Sequence, residues 1–127
     1  LTNAPHEHAD RVLGKLGIAD IFKAVTDIRD ANFNGKPYPD AYKAALAKVG
    51  AGIENTLFLD DMQKYTDGWA AMGGTAVLIG NQNGKPLSKD ARAMICARKE
   101  RAGLPEGKTL RLNSIYELPR LLNELEG

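Results

Sequence analysis

Apolar residues recur along this chain in two rhythms, one helical and one strand-like, that take turns from end to end. Ala9, Val12, Leu13 and Leu16 stand at helical spacing, with Pro5 suited to an early helical position and Gly17 to the stop, so a first helix is predicted between them. Residues 18–22 read as a short buried link. The compact β-prone run 24–28 predicts a strand, followed by a polar loop through Asn32, Asn34 and Gly35 that Pro37 and Pro39 close. Residues 40–49 predict a second helix with Ala41, Ala44, Ala45 and Leu46 on its inner side and Gly50 just past its end.

The uninterrupted run Thr56-Leu57-Phe58-Leu59, ending at Asp60-Asp61, has the pattern of a strand buried on both faces of a parallel sheet. A third helix, with Trp69, Ala70 and Met72 among its apolar residues, leads through Gly73-Gly74 to a strand at 75–79. Strand and helix alternate with short connections, which predicts an α/β fold, a parallel sheet wrapped by helices. Asn81-Gln82-Asn83-Gly84 is a turn cluster, and Ser88 is the N-cap expected for a charged helix running to about residue 101. Residues 110–112 add a last short strand. Ser114-Ile115-Tyr116-Glu117 has capping-box spacing and opens a terminal helix with Leu118, Leu121, Leu122 and Leu125 on its apolar stripe, its start shifted by Pro119.

Composition narrows the function classes. A chain of 127 residues, 43% hydrophobic and 26% charged, supports one folded domain with a real core. Seventeen basic against sixteen acidic residues leave a formal charge of +1, so nucleic acid and acidic membranes are not expected partners and any anion must be caught locally. Lys89, Arg92, Arg98, Lys99 and Arg101 lie on the charged helix, but Asp90 and Glu100 dilute them and no aromatic residue interleaves; a solvated face is expected there. A lone cysteine, Cys96, with no CxxC pair points to a reducing cytoplasm. No apolar run approaches the ~20 residues that cross a bilayer, and Leu1-Thr2-Asn3-Ala4-Pro5 does not open a signal peptide. Leu1 instead reads as the end of a strand, so a segment upstream of it is expected.

In an open parallel sheet, ligands bind beyond the carboxyl ends of the strands, which singles out Thr2-Asn3, Lys36 and Asp60-Asp61. Adjacent carboxylates at a buried strand end repel one another and lose hydration, a conflict that a hard divalent ion resolves. The plainer alternative is that one aspartate caps the next helix while the other faces solvent. Lys36, between Gly35 and Pro37, places an ammonium in a stiff loop, where it is either solvated or neutralises a phosphoryl oxygen. Thr2 and Asn3 offer a hydroxyl and an amide as donors, or else form an ordinary helix lead-in.

Taken in order, Leu1-Thr2-Asn3, then Gly35-Lys36-Pro37-Tyr38-Pro39-Asp40-Ala41-Tyr42, then Leu57-Phe58-Leu59-Asp60-Asp61 resembles motifs two, three and four of the haloacid dehalogenase superfamily. Thr2-Asn3-Ala4-Pro5 with His8, Val12-Leu13 and Leu16-Gly17-Ile18 is similar to its pyrimidine 5'-nucleotidase branch. The resemblance implies a three-layer Rossmann-like core, incomplete at its N-terminus. Motifs two to four occupy 1–80, and a variable helix with the terminal strand and helix occupies 81–127. It implies that Thr2 binds the transferring phosphoryl group with help from Asn3, that Lys36 steadies nucleophile and phosphate, and that Asp61, with Asp60 assisting, holds magnesium. All of this requires Thr2, Lys36 and the aspartate pair to share one metal and phosphate.

Tyr65 departs from the family pattern, which often has Asn or Asp there beside the metal, so either Asp67 substitutes or the metal is held more loosely. His6 and His8 are expected at the surface, because the family uses carboxylates as acid and base. Its motif one, two aspartates two residues apart, has no match in the chain. The first of that pair attacks phosphorus to give an aspartyl-phosphate; the second protonates the leaving group and then activates water. The 127-residue chain is therefore expected to be inactive alone and to need its N-terminal fragment as a partner. The complete protein is expected to be a magnesium-dependent phosphomonoester hydrolase acting on a small phosphorylated metabolite, nucleoside 5'-monophosphates first. A sugar-phosphate phosphatase or phosphomutase of the same core, or a non-catalytic scaffold derived from it, are the alternatives.

Overall fold

The computed structural model describes residues 1–80 and 107–126, and its chain forms two compact units, Leu1–Gly52 and Ile53–Gly127. The turn cluster at 81–84 and the charged helix expected at 88–101 lie outside the described residues.

In the first unit, α1 spans His6–Leu16 and α2 spans Pro39–Val49. Both stop at a glycine in the left-handed region, Gly17 (φ 70°) and Gly50 (φ 67°), where a side chain would be strained. Pro39 opens α2, Asp40 lies in its first turn and Lys48 in its last, each at the end of the helix dipole that suits its charge. Ala41 and Tyr42 are fully buried.

Three expectations for this unit are corrected. Residues 24–28 form no strand. Two backbone bonds tie them to the segment after Leu1, from Thr2 N–H to Thr26 O (3.0 Å) and from Ile28 N–H to Ala4 O (3.4 Å), and a turn follows in which Phe33 N–H donates to Ile28 O (2.8 Å). Residues 18–22 are no buried link, because Ala19–Ile21 is a 3-10 turn whose Ile21 is 71% exposed, with Phe22 exposed beside it. The stripe on α1 is only partly covered, Ala9 and Leu13 being half-buried while Val12 and Leu16 are exposed.

The second unit is a parallel sheet in the order β1-β2-β3, with β1 Leu57–Asp60, β2 Thr75–Ile79 and β3 Lys108–Leu112. α3, Gln63–Ala71, joins β1 to β2, and α4, Leu118–Glu126, follows β3 after a 3-10 turn at Ile115–Glu117. The register pairs Leu59 with Val77 and Val77 with Leu110, so these residues share one face. There, Val77, Leu110 and Leu112 pack with Leu121 and Leu125 of α4, and Leu57, Leu59, Ile79 and Leu118 border them. Leu122, expected on the same stripe, is exposed instead. Phe58 lies on the opposite face and stacks on Trp69 of α3, with ring centroids 5.4 Å apart. Helices thus cover both faces of the sheet, the α/β layering expected from the alternation of elements. Burial on both faces at β1 is incomplete: Phe58 is buried, but Leu57 and Leu59 are half-buried because only β2 flanks the strand among the described residues.

The Ser114 cap departs from the reciprocal box. Ser114 Oγ accepts from Tyr116 N–H at 3.2 Å, and Glu117 accepts from Asn113 N–H at 3.3 Å. The intervening 3-10 turn tightens the backbone and moves each partner by one position, and α4 starts at Leu118 with Pro119 in its first turn.

Candidate functional site

In the first unit, the segment after Leu1 is pinned to residues 26–28 by the two backbone bonds above, and its side chains turn inward on the chain. Thr2 Oγ1 accepts from Ala4 N–H at 3.1 Å, which leaves the hydroxyl hydrogen to donate elsewhere. The Asn3 side chain makes a two-point contact with one residue 33 positions away: its Nδ2 donates to Lys36 O at 3.1 Å, and its Oδ1 accepts from Lys36 N–H at 2.7 Å. Gly35 makes room for it, since a Cβ there would lie 2.6 Å from Asn3 Oδ1 and 2.8 Å from Ile28 Cδ1. Lys36 itself is half-buried, and the bond to Pro37 is cis. Thr2, Asn3 and Lys36 are thereby brought together in one unit.

Sequence reasoning missed Asp27, which is 4% exposed and organises this unit. Its Oδ2 accepts from His6 N–H at 2.8 Å, capping the first turn of α1, while Oδ1 accepts from the N–H groups of Arg29 and Asp30, both at 3.0 Å. Asp30 returns the contact, accepting from Asp27 N–H at 2.9 Å, and it pairs with Lys48 at 3.0 Å. The backbone N–H of Asp27, and next the Lys48 ammonium, hold the Asp30 carboxyl below its ordinary value. Lys48 also donates to Val25 O at 2.6 Å. Arg29 pairs with Glu7 at 2.8 Å, and that hydrogen bond lowers the Glu7 pKa and raises that of Arg29. The spacing of two aspartates three apart, typical of side chains that bond the backbone a few residues on, was the available signal. His6 and His8 are exposed, His6 standing 3.1 Å from Asp10.

In the second unit, Asp60 and Asp61 lie at the carboxyl end of β1, as expected. Asp60 is half-buried and its Oδ1 accepts from Met62 N–H at 2.9 Å, turning the chain into α3. Asp61 is exposed. Two adjacent carboxylates at a strand end are the oxygen donors that suit a hard ion binding through one or two carboxylates and keeping its waters. No group of three or more His, Cys, Asp or Glu side chains able to enclose a metal occurs among the described residues. Tyr65 is half-buried with the Lys64 ammonium 5.0 Å from its ring centre, and Asp67 is exposed.

No helix among the described residues is long and apolar enough to cross a membrane. Compared with known families, residues 1–64, half of the chain, match the model of a hydrolase family described as haloacid dehalogenase-like hydrolase.

Proposed function

Because the chain belongs to the haloacid dehalogenase-like hydrolases, we propose that the full-length protein is a phosphomonoester hydrolase of a small metabolite, with nucleoside 5'-monophosphates as the first substrates to try. Thr2 donates its hydroxyl hydrogen to a phosphoryl oxygen, and Lys36 sets an ammonium charge against the same group. Asp60 and Asp61 are the residues that would hold magnesium. When bound, that ion neutralises charge on phosphoryl oxygen. Among the described residues Asp61 is the more available of the two, since Asp60 also shapes the turn into α3. The nucleophile and the acid/base carboxylate are not supplied by residues 1–127, in which no two aspartates stand two positions apart.

The observation that carries this reading is the contact between Asn3 and Lys36, which joins the second and third family motifs in the first unit. The test is phosphate release by the full-length protein from a panel of nucleoside monophosphates and sugar phosphates, with and without magnesium. Magnesium-dependent release is expected, and none is expected from residues 1–127 alone. Failure of the full-length protein to release phosphate from any ester of the panel would refute the proposal; preference for sugar phosphates would reassign only the substrate.

A further inference from the structure

We infer that Asn3 is a positioning residue: it fixes the backbone of Lys36 instead of touching the phosphoryl group, and the absence of a side chain at Gly35 is what permits this. The catalytic part of the inference rests on the proposed phosphatase function; the contact itself does not.

A primary amide presents an N–H donor and a C=O acceptor side by side, so it can pair with the N–H and C=O of one residue much as a neighbouring strand does. Asn3 does this to Lys36, at 3.1 Å and 2.7 Å. Other side chains would not reproduce it. Aspartate lacks the donor and would set a carboxylate against the Lys36 carbonyl, glutamine is one methylene longer, and a hydroxyl cannot span both groups. Two hydrogen bonds to the same residue restrain rotation as well as position, which a single bond does not.

The need is clear from the loop. Pro37 has no N–H to give, and the 33-residue separation means that no helix or turn connects Lys36 to Asn3. Lysine carries its charge on a flexible four-carbon stem, so holding its Cα in place removes one source of freedom for the ammonium. The close fit at Gly35, where a Cβ would meet Asn3 Oδ1 at 2.6 Å and Asn3 Cγ at 2.7 Å, makes the contact sensitive to a single added methyl.

The test is a double-mutant cycle in the full-length protein, Asn3→Ala and Lys36→Ala, read as kcat and KM for phosphate release and as hydrogen exchange at the Lys36 amide. Misplacement of Lys36 is expected to lower kcat roughly 10- to 100-fold in Asn3→Ala, with less change in KM. In the Lys36→Ala background the same substitution should cost less than about 3-fold, because residues acting through one another are not additive. Exchange at the Lys36 amide should quicken in Asn3→Ala. Gly35→Ala should reproduce the loss, and adding Asn3→Ala to it should bring no further one. Should Asn3→Ala not fold, Asn3→Asp takes its place in the kinetic cycle alone, since its carboxylate loses the bond to Lys36 O but still accepts from Lys36 N–H. Additive losses in the cycle, or unchanged exchange at Lys36, would overturn the inference. A wild-type protein without phosphatase activity would end the functional reading and leave amide exchange to decide the contact.

Discussion

Trp69 Nε1 donates to the carbonyl oxygen of Thr75 at 3.0 Å, tying the last turn of α3 to the first residue of β2 in the buried interior. The chain between them passes so close to the indole that Gly74 is in effect part of the ring's socket: a Cβ there would lie 2.6 Å from Trp69 Cε2. Gly74→Ala should therefore displace the ring or the strand and destabilise by about 1–3 kcal/mol. Trp69→Phe, which keeps an aromatic ring near Phe58 but leaves a buried carbonyl without this donor, should also cost about 1–3 kcal/mol. Urea unfolding followed by circular dichroism checks both.

Asp27 is the acceptor for three backbone N–H groups, those of His6, Arg29 and Asp30. Asp27→Ala strands all three at once. A loss of roughly 1–3 kcal/mol or more is expected from the unsatisfied donors, with the start of α1 fraying first because its cap is gone. Amide exchange at residues 6–8 should quicken more than at the centre of α2, and equal change at both would count against Asp27 as the cap.

Asp61 is exposed and Asp60 forms the turn, so their substitutions should separate stability from activity. Asp61→Asn is expected to shift stability by less than about 0.5 kcal/mol. It should lower magnesium-dependent phosphate release by the full-length protein roughly 100-fold or more. Asp60→Asn keeps an oxygen for Met62 N–H, so it should retain the turn while weakening magnesium affinity. Calorimetric magnesium titration alongside thermal melting distinguishes these outcomes.

Acid should loosen the first unit. The Asp30 carboxyl is held below its ordinary 3.8 by Asp27 N–H and Lys48, and Glu7 below 4.5 by Arg29. A folded-state value below the unfolded one means a contribution fully present above the unfolded value and lost as pH falls through the folded one. Stability should thus decline below about pH 5, and both groups are exposed enough that salt should blunt the effect. Asp30→Asn should flatten the decline in a pH series of denaturant midpoints, and an unchanged slope would argue against this origin.

What could be read directly from residue order was whatever neighbours in the chain decide. Gly17 and Gly50 end their helices because only the adjacent backbone is involved, and β1 and β2 announced themselves as short uninterrupted apolar runs. Asp60-Asp61 was legible as a pair at a strand end for the same reason. The contacts that organise the first unit were not legible, since each depends on groups far apart in sequence. Asn3 and Lys36 meet across 33 residues, Asp27 receives His6 N–H across 21, and neither pairing leaves a periodic trace. The same dependence explains residues 24–28: β-prone side chains favour a strand, but a strand also needs a partner along its length, and here two bonds to Thr2 and Ala4 are followed by a turn. Local preference is a property of the chain, whereas pairing is a property of what folding brings alongside it.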